Sequence, residues 1–222
     1  MKILMLNPPF LPRFSRFSRS PAVTKSGTIY YPIWHAYATG VLEKEGHEVR
    51  LVDAPADGLS RENCYNIAKD FAPAMVVVYT STPSIFNDIE IAGNIKDLLP
   101  DCLIVLTGPH VSALPDESLS IDKRIDAVAR REYDMTLVEL AQKLEKKENI
   151  DDVHGLTFRM GEEIKSTADR KLIANLDLVP FISTVYKKHL NIKNYFYAHC
   201  RYPVVSIFTS RGCNAHCNYC VY

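Results

Sequence analysis

The amino-acid sequence predicts an α/β domain built on a doubly wound, five-stranded parallel sheet of flavodoxin-like order 2-1-3-4-5. Two observations carry that expectation. Apolar runs of strand length alternate with stretches of helical length, and the connections are short apart from the first, which favours right-handed crossovers and parallel pairing. The runs are also continuous rather than alternating, the pattern of strands covered on both faces.

Lys2-Ile3-Leu4-Met5-Leu6-Asn7 is the first predicted strand and stops at Pro8-Pro9. The stretch 10–31 lacks clear periodicity, is rich in Ser, Pro, Arg and Phe, and is long for a connection inside a compact domain. No acidic residue occurs at positions 3–42, whereas Arg13, Arg16, Arg19 and Lys25 fall among Phe10, Phe14 and Phe17. This loop reads equally as a cover over an anionic ligand and as a solvated, partly disordered segment.

A helix is expected over 32–45, with proline at its start and Gly46 as its stop. A second strand follows at 47–53, and Ser60 is placed to cap a helix running to about residue 70. The strongest strand signal is 74–79, followed by a helix over 84–99 that ends at Pro100. A fourth strand at 102–107 closes at Gly108, a short fifth is a candidate at 126–129, and a helix is expected over 135–147. Beyond Glu148 the pattern changes to a hairpin over 156–166 with a glycine-bearing turn. An irregular connector then spans 168–201, with Leu176-Asp177-Leu178-Val179-Pro180-Phe181 at its middle. The expected units are 1–148, a hairpin and connector at 149–202, and a final unit at 203–222.

In a sheet of this kind the ligand lies over the carboxyl ends of the strands. At that edge emerge Asn7-Pro8-Pro9, Thr80-Ser81-Thr82, Gly108-Pro109-His110 and Arg131-Glu132, so a planar cofactor is expected against Ser81, Thr82, Gly108 and Pro109. His110 reads first as a hydrogen-bonded turn residue and second as a metal ligand. His35, His47, His189 and His199 carry no partner pattern.

With 222 residues, the chain has room for one full domain and part of another. Hydrophobic residues at 47% and charged residues at 23% predict a buried core, and 26 basic against 26 acidic residues argue against a general nucleic-acid surface. No apolar run approaches the ~20 residues of a membrane span, and the first is too short for a signal peptide, so a cytoplasmic protein is expected. Of six cysteines, Cys64, Cys102 and Cys200 are scattered and read as buried or incidental thiols.

The other three are clustered. The apolar stretch Val204-Val205-Ser206-Ile207-Phe208, predicted to be β, leads through Thr209-Ser210-Arg211-Gly212 into Cys213, Cys217 and Cys220, a C-x-x-x-C-x-x-C run. Three thiolates on one loop point to a metal site. A cubane 4Fe-4S cluster normally takes four thiolates, so three leave one iron open to a small molecule. A structural zinc site with His216 as fourth ligand is the alternative, although zinc sites usually come as two separated ligand pairs.

These stretches together resemble the amino-terminal part of the cobalamin-dependent radical S-adenosylmethionine enzymes, the class containing anaerobic magnesium-protoporphyrin ester cyclases and class B methyltransferases. The resemblance covers essentially the whole chain. It rests on Leu6-Asn7-Pro8-Pro9, Gly46-His47-Glu48-Val49, Gly108-Pro109-His110, the connector at 176–181 and the loop at 210–220. It implies that Cys213, Cys217 and Cys220 hold a 4Fe-4S cluster whose open iron chelates S-adenosylmethionine, with Tyr219 beside the adenine. It implies cobalamin across the strand ends, where Pro8, Pro9, Ser81, Thr82, Gly108, Pro109, His110 and Glu132 lie. The D-x-H-x-x-G fingerprint is absent after the first strand, so cobalt would have no lower histidine ligand. Glu132 and Asp134 fall where relatives carry an acidic Gly-Glu-x-Glu turn, with Arg131 in the place of the glycine. Arg211 reads either as a positioner of the cysteine loop or as a surface arginine.

The activity so implied is reductive cleavage of S-adenosylmethionine to a radical that abstracts hydrogen from a small-molecule substrate. It draws on an external electron donor, with cobalamin as methyl carrier or redox partner. A non-catalytic module that stores cobalamin or another planar ligand, or docks a partner, is the rival reading. A methylthiotransferase-type relative would share the cysteine spacing but usually carries further cluster cysteines in its first domain. Such chemistry needs further barrel strands after Cys220, so the sequence reads as a fragment or truncated product with little turnover of its own.

Overall fold

The computed structural model describes residues 1–213 and 215. Its centre is one sheet of seven strands in the order β2-β1-β3-β4-β5-β6-β7. These are β1 (Lys2–Asn7), β2 (Glu48–Asp53), β3 (Met75–Tyr79), β4 (Leu103–Thr107), β5 (Ala127–Ala129), β6 (Leu156–Met160) and β7 (Glu163–Ser166). The first five pair in parallel in the expected order, Met5 standing opposite Leu51 on one side and Val77 on the other. The hairpin corrects the expected count of five: β6 pairs antiparallel with β5, so it extends the sheet. Arg130, just after β5, fastens it by donating to the Leu156 carbonyl at 2.6 Å, to Thr157 Oγ1 at 2.7 Å and to the Thr167 carbonyl at 2.7 Å.

Because successive strand residues point to opposite faces, β1 and β3 each feed two cores. Ile3, Met5, Met75 and Val77 pack on one face with α1 (Ile33–Lys44) and α7 (Asp134–Lys146). Leu4, Leu6, Val76 and Val78 pack on the other with α3 (Arg61–Phe71) and α4 (Ile85–Leu98). The chain runs from β1 outward to β2, then back past β1 to β3. That reversal puts a crevice at the carboxyl ends of β1 and β3.

Ser60 caps α3 as expected, in a reciprocal box with Asn63. Four helices lie outside the sequence expectations: α2 (Ala54–Asp57), α5 (Pro109–Ala113), α6 (Pro115–Ile121) and α8 (Ile182–His189). Pro109 and Pro115 each open a helix, in the first turn, where a missing N–H costs nothing. In the connector, α8 buries Ile182, Val185 and Tyr186 against the α1 side of the sheet.

Residues 204–208 differ from the expected strand. They form no regular element, because among the described residues no strand lies beside them. Their carbonyls are taken instead by tyrosine hydroxyls: Tyr31 donates to Val204 O at 2.7 Å, Tyr186 to Ser206 O at 3.2 Å and Tyr37 to Phe208 O at 3.0 Å. No helix among the described residues is long and apolar enough to cross a membrane.

Candidate cofactor cavity at the strand ends

A cavity of about 250 Å³ opens at the carboxyl edge of the sheet. Its floor is Tyr79, at the end of β3, and the turn Gly108-Pro109 with Ser112 after β4. The loop from Arg131 to Asp134, between β5 and α7, and Trp34 of α1 also line the cavity. The outer wall is Phe208, Ser210, Arg211, Gly212 and Cys213, so the first cysteine of the run and the strand ends share one space.

Tyr79 packs against two aromatic neighbours. Phe17 stacks on Tyr79 at 4.1 Å, and His35 meets Tyr79 edge-on at 5.3 Å while its Nδ1 shares a 2.9 Å hydrogen bond with the Tyr133 hydroxyl. His35 is fully buried, and burial lowers its pKa to about 3 against the weaker opposing pull of the Leu6 and Val77 carbonyls, so it is neutral.

In the loop at 10–31, Arg13, Arg19 and Lys25 are exposed, whereas Arg16 turns inward. Arg16 is completely buried, its Nη2 lying 2.5 Å from Asp88 Oδ1 and its Nη1 donating to Asn7 Oδ1 at 3.2 Å and to the Pro8 carbonyl. That charge is neutralised internally and pins the loop to β1 and α4. Beside it Asn7 Nδ2 donates to Asp53 Oδ1 at 2.7 Å and the Tyr195 hydroxyl to Asp53 Oδ2 at 2.9 Å. Burial pushes the Asp53 carboxyl up to about 6, against the opposing pull of those two hydrogen bonds.

Of the residues singled out from sequence, the cavity brings together Gly108, Pro109, Arg131, Glu132, Asp134, Arg211 and Cys213. Pro8, Pro9, Ser81, Thr82 and His110 share the sheet edge but do not line it. The carbonyls of Pro8 and Pro9 are occupied by Arg16 and Asn87, and Ser81 is buried with its hydroxyl 2.7 Å from that of Ser84. Thr82 Oγ1 and His110 Nδ1 share a 3.2 Å hydrogen bond on the rim. Cys217, Cys220 and Tyr219 lie outside the described residues, as does His216. Among the described residues no group of three or more His, Cys, Asp or Glu is arranged to hold a metal ion. Cys64 and Cys102 are buried, and burial pushes both thiols up to about 12, which suits inert core residues.

The walls carry the polar chemistry. Arg131 holds its backbone in the left-handed region at φ 56, a conformation natural to glycine, and its N–H donates to Ser112 Oγ at 2.9 Å. Arg211 forks onto Asp134, with Nη1 at 2.8 Å from Oδ2 and Nη2 at 3.2 Å from Oδ1. Burial works against the guanidinium charge, but the hydrogen bond and attraction of Asp134, then of Glu132 and Tyr37, raise its pKa. Glu132 Oε2 is buried 3.9 Å from Arg211 Nη1 and accepts no hydrogen bond among the described residues. Tyr79, Trp34, Ser112 and Tyr133 were not found by sequence reasoning. The one signal is position: Tyr79 ends β3 and Ser112 and Tyr133 fall beside edge turns, whereas Trp34 sits in the first turn of α1 and carries no such signal.

The family described as B12 binding domain matches residues 19–141. The chain is 29% identical over 220 residues to an uncharacterized methyltransferase of Pyrococcus horikoshii, covering 99% of this chain and 45% of that protein. It is 31% identical over 193 residues to the anaerobic magnesium-protoporphyrin IX monomethyl ester cyclase of Cereibacter sphaeroides, covering 85% of this chain and 31% of the relative. The chain thus spans less than half the length of either. In fold it is similar to the cobalamin-dependent S-adenosylmethionine radical enzyme OxsB, with a TM-score of 0.67 and 16% identity over 83% of this chain and 25% of that one. It is also similar to the radical S-adenosylmethionine methyltransferase TsrM of Kitasatospora setae, with a TM-score of 0.59 and 19% identity over 78% and 30% of the two chains.

Proposed function

This chain belongs to the B12-binding domain family, and from that premise we propose that it holds cobalamin over the carboxyl ends of β3 and β4 and a 4Fe-4S cluster at Cys213, Cys217 and Cys220. It would then be the cofactor-binding part of a radical S-adenosylmethionine methyltransferase or cyclase that acts on a small molecule and is reduced by an external electron donor.

The observation that carries this reading is the shared cavity, with Gly108 and Pro109 on its floor and Cys213 on its wall. The residues present suit the group. Tyr79, Trp34 and Phe208 offer apolar and aromatic surface to one flank of a large planar cofactor. Glu132 Oε2 has acceptor capacity left for an amide N–H of the kind that fringes cobalamin. When bound, cobalamin would supply methyl transfer or redox chemistry and the cluster with S-adenosylmethionine would supply hydrogen abstraction. The chain's own part is to position: Tyr79 is braced by Phe17 and His35, and Ser112 with Arg131 fixes the turns on either side.

Iron content after anaerobic reconstitution tests the cluster. Cys213→Ala, Cys217→Ala and Cys220→Ala should each abolish iron binding while Cys64→Ala retains it. Equal iron in all four variants contradicts the assignment, and zinc lost on His216→Ala replaces it with a structural site.

A further inference from the structure

We propose that Arg211 is a positioning residue that latches the start of the cysteine loop onto Asp134 and Glu132, so that the stretch 208–213 forms the outer wall of the cofactor cavity. The proposal rests on the cofactor reading above for its purpose, but not for its geometry.

Arg211 and Asp134 are each only 6% exposed in their side chains, so this is not a solvated surface pair. A guanidinium removed from water needs a fixed counter-charge, and the forked contact to Asp134 supplies one with directional hydrogen bonds. The planar group also lies over the rings of Tyr37 at 4.6 Å and Trp34 at 5.8 Å, an arrangement that lysine cannot reproduce. Asp134 is the first residue of α7, where the helix dipole favours a carboxylate.

Upstream, the hydroxyls of Tyr31, Tyr186 and Tyr37 hold the carbonyls of residues 204, 206 and 208, and Phe208 packs on Trp34 at 5.2 Å. The chain is therefore led along the domain surface before Arg211 clamps it. Only Gly212 separates Arg211 from Cys213, so fixing Arg211 confines the first cysteine to within about 7 Å of a fixed Cα, two peptide units at most.

Trp34 is the sole tryptophan, so its emission reports on this contact without any cofactor. Asp134→Asn leaves both Arg211 and Trp34 in place, and a change there reads movement of the segment. Expected are a red shift of the emission, stronger acrylamide quenching and faster tryptic cleavage after Arg211 relative to cleavage after the exposed Arg201. In emission and quenching, Arg211→Lys should give a partial effect and Arg211→Ala the full one, with far-UV circular dichroism as in the wild type. Unchanged quenching and unchanged cleavage after Arg211 in Asp134→Asn, with emission unmoved in a folded Arg211→Ala, overturn the latch. Failure of the wild type to bind hydroxocobalamin while Trp34 still responds overturns the cofactor reading and leaves the latch standing.

Discussion

Gly108 and Thr80 approach so closely that a β-carbon on Gly108 would sit 2.3 Å from the Thr80 carbonyl oxygen. Gly108 also has φ 120, a backbone conformation that side chains disfavour. The missing side chain is thus first a requirement of the fold, which lets the turn after β4 close against the end of β3. Thr80 completes that junction, its N–H and hydroxyl both donating to the Thr107 carbonyl at 2.8 Å.

Gly108→Ala should therefore cost roughly 3 kcal/mol of stability before any ligand is considered, from backbone strain and displacement of Thr80. Urea unfolding of the cofactor-free protein measures this. A wild-type midpoint would show that the turn relaxes freely and that the close approach is not structural.

Arg16 and Asp88 are expected to behave as a unit. Arg16→Met leaves Asp88, which also accepts from Ser84 Oγ at 2.6 Å, buried without its counter-charge, and should destabilise by about 3–5 kcal/mol. Arg16→Met combined with Asp88→Asn should recover part of that loss. A double variant no more stable than Arg16→Met alone would mean that the pair's charge compensation is not what fastens the loop.

The pH dependence should carry two opposed contributions. His35 has its pKa lowered from 6.5 to about 3, so the unfolded chain takes up a proton that the folded one refuses. Its share of stability falls as pH drops below 6.5, by roughly 5 kcal/mol at pH 3. Asp53 is raised from 3.8 to about 6, so the folded form takes its proton first. Its share rises by roughly 3 kcal/mol as pH drops through that interval. Over pH 6 to 4 the two nearly cancel. Relative to wild type, His35→Gln should gain stability as pH falls and Asp53→Asn should lose it, as read from urea midpoints at each pH. Parallel profiles for all three proteins would contradict both assignments.

The parallel strands were legible because burial on both faces makes each a continuous apolar run, as Met75 to Tyr79 illustrates. The edge hairpin was legible as a hairpin but not as part of the sheet, since its attachment is a pairing of β6 with β5 across about 30 residues of chain, to which Arg130 adds bonds to distant carbonyls. The Arg16–Asp88 pair leaves no local pattern for the same reason, and a basic, aromatic loop looks alike whether its arginine faces a ligand or a buried carboxylate. At the site, the cysteine spacing and the Gly108-Pro109 turn stand out in the sequence. Trp34 and Tyr79 do not, because an aromatic on a core element becomes a cavity wall only through where that element ends.

Titration of the wild-type protein with hydroxocobalamin, followed by its visible spectrum and by quenching of Trp34, tests the central claim most directly. Saturable binding with one cofactor per chain is expected, and Ser112→Trp, which fills the cavity from its floor, should abolish it while the protein stays folded. No binding by the wild type, or binding that Ser112→Trp leaves untouched, would contradict the placement of cobalamin at the strand ends.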